Sequence, residues 1–429
     1  MTIEGKHTSV LAHETAAHRS TGAIGGGVGG AGHAVYSETA AINDQGIPFT
    51  LITAEPNRHM QTLRDYPFPT VGIHLPEHSS NEELIALLSQ DTKVRELFLE
   101  KMRHPGFDVG HFVTGIGLLI DLHRDIGSIE EKQQRKLLGR LHSPYYETML
   151  RYNPSYQASD ERRRQEKAVL RNSDGVIFST MAEAEETARL AAANPDVDLT
   201  EEEILSKVIV AGLGTEHEIF NPSMWERNRQ SQLRQLLGDE IAESNPIVFG
   251  INGRIHPERS VYNAVAACTD FMTQDQNGNY HVLVTGAAGK GLEGQEELER
   301  IHTHLEELPN HIANRIHLVG VIPYDRAFAA VNIALNTTPY ETWGFYTLEA
   351  AAAGIPLIIA ENPVTRHLLN GNGLYLQDNS RSSISVALYQ ATRQLDDMQQ
   401  TAHDAHRHVQ QFTWEKTAQD LISGMKRLQ

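Results

Sequence analysis

The sequence predicts an α/β protein made of two alternating strand–helix halves, each built on a parallel sheet. Three observations carry this expectation. Short apolar runs of strand length alternate with helical periodicity in both halves, a glycine-rich run follows the first strand, and a polar helical stretch separates the halves. In the first half Thr8–Ala12 reads as a strand, 22–32 as the glycine loop, Ala34–Asn43 as a helix and Pro48–Thr53 as the next strand. Asp174–Ser179 reads as a later strand, followed by an acidic helix from Met181. From Gly214 to Pro246 the chain turns polar and helical, with Asn221-Pro222 and Asn245-Pro246 at its ends, and this is the expected connection between halves. The second half opens with the strand Ile247–Ile251 and continues through His281–Thr285, Arg315–Val319 and Val331–Leu335. The expected division is therefore 1–240, 246–405 and a terminal helix over 406–429. Parallel sheets take ligands at the carboxyl ends of their strands, so two such sheets facing a central cleft would hold a substrate there.

Composition narrows the function. At 429 residues, with 40% hydrophobic and 21% charged residues, the chain is long enough for two cores. A formal charge of −18 argues against nucleic acid or an anionic membrane as the main partner. No apolar run of about 18 residues is present, and the first 20 residues lack the apolar core of a signal peptide. The single cysteine, Cys268, excludes intramolecular disulfides and thiolate clusters, which fits a cytoplasmic location. The 22 histidines are scattered rather than spaced as metal ligands, so no metal site is expected.

The most informative stretch is Pro339-Tyr-Glu-Thr-Trp-Gly-Phe-Tyr-Thr-Leu-Glu-Ala-Ala-Ala-Ala-Gly-Ile-Pro356. Thr347–Ala353 reads as a helix stopped by Gly354, and Leu357–Ala360 as a buried strand. Glu341 then lies on the loop before the helix and Glu349 within its first turns. A helix start offers unpaired N–H groups to an anion while the carboxylates handle hydroxyls. A second constellation, Gly250-Ile-Asn-Gly-Arg-Ile-His-Pro-Glu-Arg259, follows a buried strand, and its forked arginine donors suit a pyrophosphate. Taken alone, two arginines at a strand end are ordinary surface charge.

Glu341, seven intervening residues and Glu349, with Trp343-Gly344 and Leu348-Glu349-Ala350, resemble the Glu-x(7)-Glu signature of retaining GT-B glycosyltransferases of family 4. The similarity covers most of the chain, strongest over 246–365 and weakest over 54–105. It implies two Rossmann-like domains around a central cleft, with a C-terminal helix, heralded by Phe412-Thr-Trp-Glu-Lys416, crossing back to the first. It also implies transfer of a sugar, with retention and without a metal or other cofactor, from a UDP- or GDP-type nucleotide sugar to a hydroxyl or other nucleophile of a small-molecule or glycan acceptor. By the resemblance Arg254 and Arg259 hold the diphosphate, although the family usually has lysine where Arg259 stands. Glu349 takes the ribose, and Glu341 with the backbone of Gly344, Phe345 and Tyr346 takes the sugar. Gly253 and Val321 complete the donor side, Val321 lying by the loop 317–324 whose backbone touches the base in the family.

In the first half the resemblance matches Gly29, Gly30 and Gly32 to a loop approaching the donor phosphates and the acceptor. His142, at the end of the apolar strand before Ser143-Pro144, would act near the transferred sugar. His111, in Asp108-Val-Gly-His-Phe112, would line the acceptor side, and Arg162, four residues before Glu166, would bind an acceptor anion. Read without the family, 161–166 is a solvated helix with i,i+4 charge pairs. Likewise Asp121-Leu-His-Arg-Asp125 could mimic a carboxylate–histidine pair but reads more simply as a solvated helix end. Two other readings stay open: a non-catalytic subunit that binds a nucleotide sugar, and an epimerase or phosphorylase on the same fold. A homo-oligomer is compatible with all of them.

Overall fold

The computed structural model describes residues 7–12, 30–47, 49–54, 61–62, 70–73, 106–111, 135–141, 145–152, 160–289 and 292–428, with single residues and pairs between 92 and 124. The chain forms two compact units, 1–214 with 414–429, and 215–413.

The first unit is built on β1 (His7–Ala12), β2 (Phe49–Ala54), β3 (Gln61–Thr62), β4 (Thr70–Ile73), β5 (Gly106–His111), β6 (Arg135–Arg140), β7 (Gly175–Phe178) and β8 (Val208–Val210). Their order is β3-β4-β2-β1-β5-β6-β7-β8, and among the described strands only β3 runs antiparallel to its neighbour. Side chains alternate across such a sheet. Thus Val176 and Phe178 of β7 face one core with Ala184 and Ala188, while Ile177 faces the other with Phe107, Val109 and Ile209. That second core is covered by helix α1 (Gly30–Asp44) and by the C-terminal helix Trp414–Arg427, through Val35, Ile42, Ala418, Leu421 and Met425. The close approach depends on Gly424, where a Cβ would meet Ile209 Cγ2 at 2.4 Å. The return to the first unit starts at Trp414 rather than at 406, because 395–409 is a separate helix of the second unit.

The second sheet comprises β9 (Ile247–Asn252), β10 (Tyr280–Thr285), β11 (Ile316–Gly320), β12 (Ile333–Asn336), β13 (Leu357–Ala360) and β14 (Leu374–Leu376). Its order, β11-β10-β9-β12-β13-β14, is parallel throughout. The strand order reverses between β9 and β12, and ligands of open α/β sheets bind at such a switch point. Its core joins Phe249, Val282, Ile333 and Ile358 of the strands to Val265, Phe271 and Leu388 of the helices.

The boundary falls at Gly214/Thr215, ahead of the 240–246 expected from the sequence. Helix α2 (Pro222–Leu237), started by an Asn221 cap and by Pro222, is polar yet anchored in the second unit. Trp225 Nε1 donates to Val331 O at 2.6 Å, and Arg229 donates to Ala330 O, Pro246 O and Asn332 Oδ1. The glycine run also differs from expectation. Helix α1 begins at Gly30, so Gly30 and Gly32 lie in its first turn and not in a loop.

Candidate functional site

In the second unit the motif residues meet where β9 and β12 end. β9 stops at Asn252, and Gly253 turns with φ 133° against Gly286, where a Cβ would meet Gly253 O at 1.8 Å. Only glycine tolerates that approach. Arg254 follows, half exposed, its Nη2 donating to Glu258 Oε2 at 3.1 Å. A short 3₁₀ turn over Pro257–Arg259 then carries the chain into helix α3 (Val261–Gln274), with Ser260 in the left-handed region at φ 53°. The turn brings Arg259 Nη1 within 2.8 Å of Glu341 Oε1.

Glu341 arrives from the other side of the switch point, on the loop that links β12 to helix α4 (Phe345–Ala352). Its second oxygen, Oε2, accepts from Asn336 Nδ2 at 3.1 Å. Gly344 enters α4 at φ 83°, a backbone conformation that favours glycine, and a Cβ there would meet Glu341 Oε2 at 2.7 Å and push the carboxylate from its place. Gly344, having no side chain, supplies no cap of its own to α4. The helix ends as the sequence predicts: Gly354 at φ 71°, with its N–H donating to Ala351 O and Ile355 N–H donating to Ala350 O.

The remaining donor-side residues occupy different settings. Glu349 is fully buried within α4. Tyr346 is buried too, its hydroxyl donating to Gly250 O at 2.7 Å and its ring stacking on Phe328 at 5.3 Å, and burial pushes the phenol up. Only its backbone remains to meet a ligand. Val321 is exposed on the loop after β11. The structure thus brings Arg259 and Glu341 into direct contact, with Gly344 beside Glu341 and Gly253 beside Arg259, whereas Arg254 turns to Glu258.

In the first unit the expected acceptor residues are structural in their surroundings. His111, at the end of β5, has no exposed surface, and its Nε2 lies 3.6 Å from Glu38 Oε1. Burial, and then the positive Arg140, hold it near pKa 3, so the imidazole is neutral. Arg140, at the end of β6, lies 3.2 Å from Glu38 Oε2 and donates to Ala211 O at 2.8 Å. Glu183 is buried in the same field; burial pushes its carboxyl up to about 8, against hydrogen bonds from the Ser179 and Thr180 backbone and the attraction of Arg140. Glu38, Arg140 and Glu183 belong to no motif of the sequence. Arginine in the apolar strand Lys136-Leu-Leu-Gly-Arg140 was the available signal, since a buried cation needs carboxylate partners.

Arg162 donates to Glu166 Oε1 at 2.8 Å, the i,i+4 pair of the simpler reading. His123 finds a carboxylate, but it is Asp108 at 2.8 Å, a residue that also accepts from Arg135 Nε at 2.8 Å and Nη2 at 2.6 Å. Burial alone would raise Asp108; the Arg135 and His123 hydrogen bonds outweigh it and hold the carboxyl at about 2. His142 and Gly29 lie outside the described residues. No group of three or more metal-ligating side chains occurs among the described residues, and none of their helices is long and apolar enough to cross a membrane.

Residues 246–394 match the family described as "Glycosyl transferases group 1". A D-inositol 3-phosphate glycosyltransferase of Stackebrandtia nassauensis is 26% identical over 267 residues, which are 60% of this chain and 55% of that relative. The chain thus matches a little over half of this relative's length. Among solved structures, sucrose-phosphate synthase from Thermosynechococcus elongatus superposes with a TM-score of 0.74 at 18% identity, covering 99% of both chains. Anabaena Alr3699/HepE in complex with UDP and glucose gives 0.71 at 16% identity, covering 98% of this chain and 100% of its own. The fold is GT-B, and the likenesses support the group 1 glycosyltransferases.

Proposed function

We propose that the chain is a retaining glycosyltransferase that moves a sugar from a UDP- or GDP-type nucleotide donor to a hydroxyl of a soluble acceptor. The observation that carries this reading is the contact of Arg259 with Glu341 across the β9/β12 switch point, beside the start of α4. A cation for phosphate and a carboxylate for sugar hydroxyls stand where a nucleotide sugar would need both. That UDP and glucose are bound by one protein of this fold, and that the relatives are glycosyltransferases, supports the same reading.

In this reading Arg254 and Arg259 hold the diphosphate. Charge-assisted hydrogen bonds of about 1.5–3 kcal/mol each would stabilise it as it departs and its charge develops. Glu349 takes the ribose hydroxyls, and Glu341 with the Gly344–Tyr346 backbone takes the sugar. The bond from the anomeric carbon to the diphosphate oxygen breaks as the acceptor oxygen bonds the same face, and the departing diphosphate receives the acceptor proton. The protein contributes orientation and electrostatics. Charge neutralisation falls to the arginines, so metal independence is part of the proposal. The acceptor side of the proposal keeps His111, buried beside Glu38, and Arg162, paired to Glu166.

The test is release of nucleoside diphosphate from a panel of UDP- and GDP-sugars, with acceptors screened by mass spectrometry and chelator included in one arm. Product formation that persists in chelator supports the reading. Absence of both hydrolysis and transfer across the panel, from protein that binds the nucleoside diphosphate, would instead indicate a binding subunit.

A further inference from the structure

Asn336, the last residue of β12, is 4% exposed and has every polar group of its side chain engaged. Its Nδ2 donates to Glu341 Oε2 at 3.1 Å and to Thr347 Oγ1 at 2.8 Å, and its Oδ1 accepts from Thr338 N–H at 3.1 Å. The Thr338 amide can only donate, so it fixes which way the carboxamide faces and turns the NH₂ toward the carboxylate and the hydroxyl. One side chain thus ties the strand end, the loop bearing Glu341 and the first turn of α4 together.

We propose that Asn336 is a positioning residue that sets the Glu341 carboxylate for the donor sugar; the inference rests on the assignment of Glu341 given above. Glu341 has two anchors, and they differ in kind. Arg259 holds Oε1, but a bound diphosphate would draw that guanidinium to itself. Asn336 holds Oε2 from a neutral, buried group that no anion displaces, and Gly344 leaves Oε2 the room that a Cβ would take. With donor bound, Asn336 is what keeps the carboxylate from following the arginine or turning to solvent. An apolar side chain of similar size at 336 would keep the volume, lose this hydrogen bond and leave the buried Thr338 N–H unpaired.

Asn336→Asp and Asn336→Leu test it, each assayed for kcat, for KM and for nucleoside diphosphate affinity by calorimetry. Aspartate faces Glu341 with a second carboxylate about 3 Å away, whose repulsion raises the pair's hold on a proton, so the pair is doubly ionised near pH 8 and shares a proton, regaining the hydrogen bond, as pH falls. The expected result is kcat lowered about tenfold or more in both variants near pH 8, with nucleoside diphosphate affinity within about twofold. In addition Asn336→Asp alone should recover kcat toward pH 5.5, relative to wild type. A purely structural role would lower diphosphate affinity along with kcat and give no acid recovery, and that result overturns the inference. So does kcat within about twofold of wild type in both variants while Glu341→Ala is impaired. Wild-type protein that turns over no donor sinks the donor-site reading and this inference together, whereas an active wild type with unaffected variants sinks this inference alone.

Discussion

Arg259 Nη1 and Glu341 Oε1 lie 2.8 Å apart, so the cation assigned to the diphosphate is already held by the carboxylate assigned to the sugar. Arg254 is held in the same manner by Glu258. Each arginine must exchange a carboxylate for phosphate oxygens when donor binds, and the exchange sets an electrostatic cost on binding. In the proposed reading the diphosphate takes Arg259, whose Nη1 is 2.8 Å from Glu341 Oε1, so the Glu341 carboxylate also repels it.

It follows that Glu341→Gln should bind the nucleoside diphosphate more tightly, by about two- to fivefold, because the competing negative charge is gone while the side chain's size is kept. Sugar transfer should fall by about tenfold or more in the same variant. Calorimetry and turnover, measured together, check both signs. Weaker binding of the diphosphate by the glutamine variant would mean that Glu341 supports the arginine's placement more than it competes for it.

The two arginines should separate. Arg254→Ala removes a cation whose partner, Glu258, is a local one, and should weaken nucleoside diphosphate binding by about tenfold or more. Arg259→Ala should weaken it too and in addition release Glu341, which lowers kcat beyond the loss in affinity. Arg259→Lys keeps the charge but gives up the fork, so intermediate values are expected. Equal behaviour of the alanine variants in affinity and in kcat would argue against distinct roles.

How much of this was legible in the sequence depends on where each residue's partner lies. The β9 and β12 strands, the turn at Gly344 and the stop at Gly354 were readable because apolar runs and glycines are local signals. The Arg259–Glu341 contact could be expected from a family resemblance but not from spacing alone, since 82 residues separate the partners. Asn336 left no signal: an asparagine at a strand end reads as a turn residue, and nothing local shows that its amide faces a carboxylate. The boundary was misplaced for a related reason. Polar composition marked 214–246 as a connection, whereas Trp225 and Arg229 fasten α2 to the 330–332 backbone. The enclosure of His111 is likewise not readable locally, because burial is a property of the packed unit, and Glu38 and Arg140 beside it come from distant segments.

Buried carboxylates in the first unit give a pH dependence of stability. Glu183 titrates near 8 when folded and near the ordinary 4.5 when unfolded, so between these values the unfolded chain loses a proton that the folded chain keeps. The stability this residue contributes is fully present below about pH 4.5 and is lost as pH rises through about 8. Glu183→Gln should therefore gain on wild type as pH rises from 5 to 8, by an amount on the order of a few kcal/mol. Asp108, held at about 2, acts oppositely: its contribution is present above pH 3.8 and lost as pH falls toward 2. Denaturant unfolding of wild type and Glu183→Gln at pH 5, 6.5 and 8 reads the difference, and a constant offset across that range would show that Glu183 is ionised in the fold.

Stereochemistry provides the sharpest check on the proposed reaction. An inverting enzyme needs a general base on the face opposite the leaving group, and a double-displacement enzyme needs a nucleophile set against the anomeric carbon. The proposed arrangement uses neither. Arg254 and Arg259 hold the diphosphate, Glu341 is tied by Arg259 and Asn336 on its two oxygens, and the departing phosphate oxygen takes the acceptor proton on the face it leaves. An α-linked donor should therefore yield an α-linked product. Proton NMR of the anomeric signal early in turnover decides the point: a small coupling in a gluco-configured product supports retention, and a large, inverted coupling would refute the retaining assignment even with transfer established. Glu341→Ala should lower the rate without changing the configuration, because the carboxylate orients the sugar and forms no bond to it.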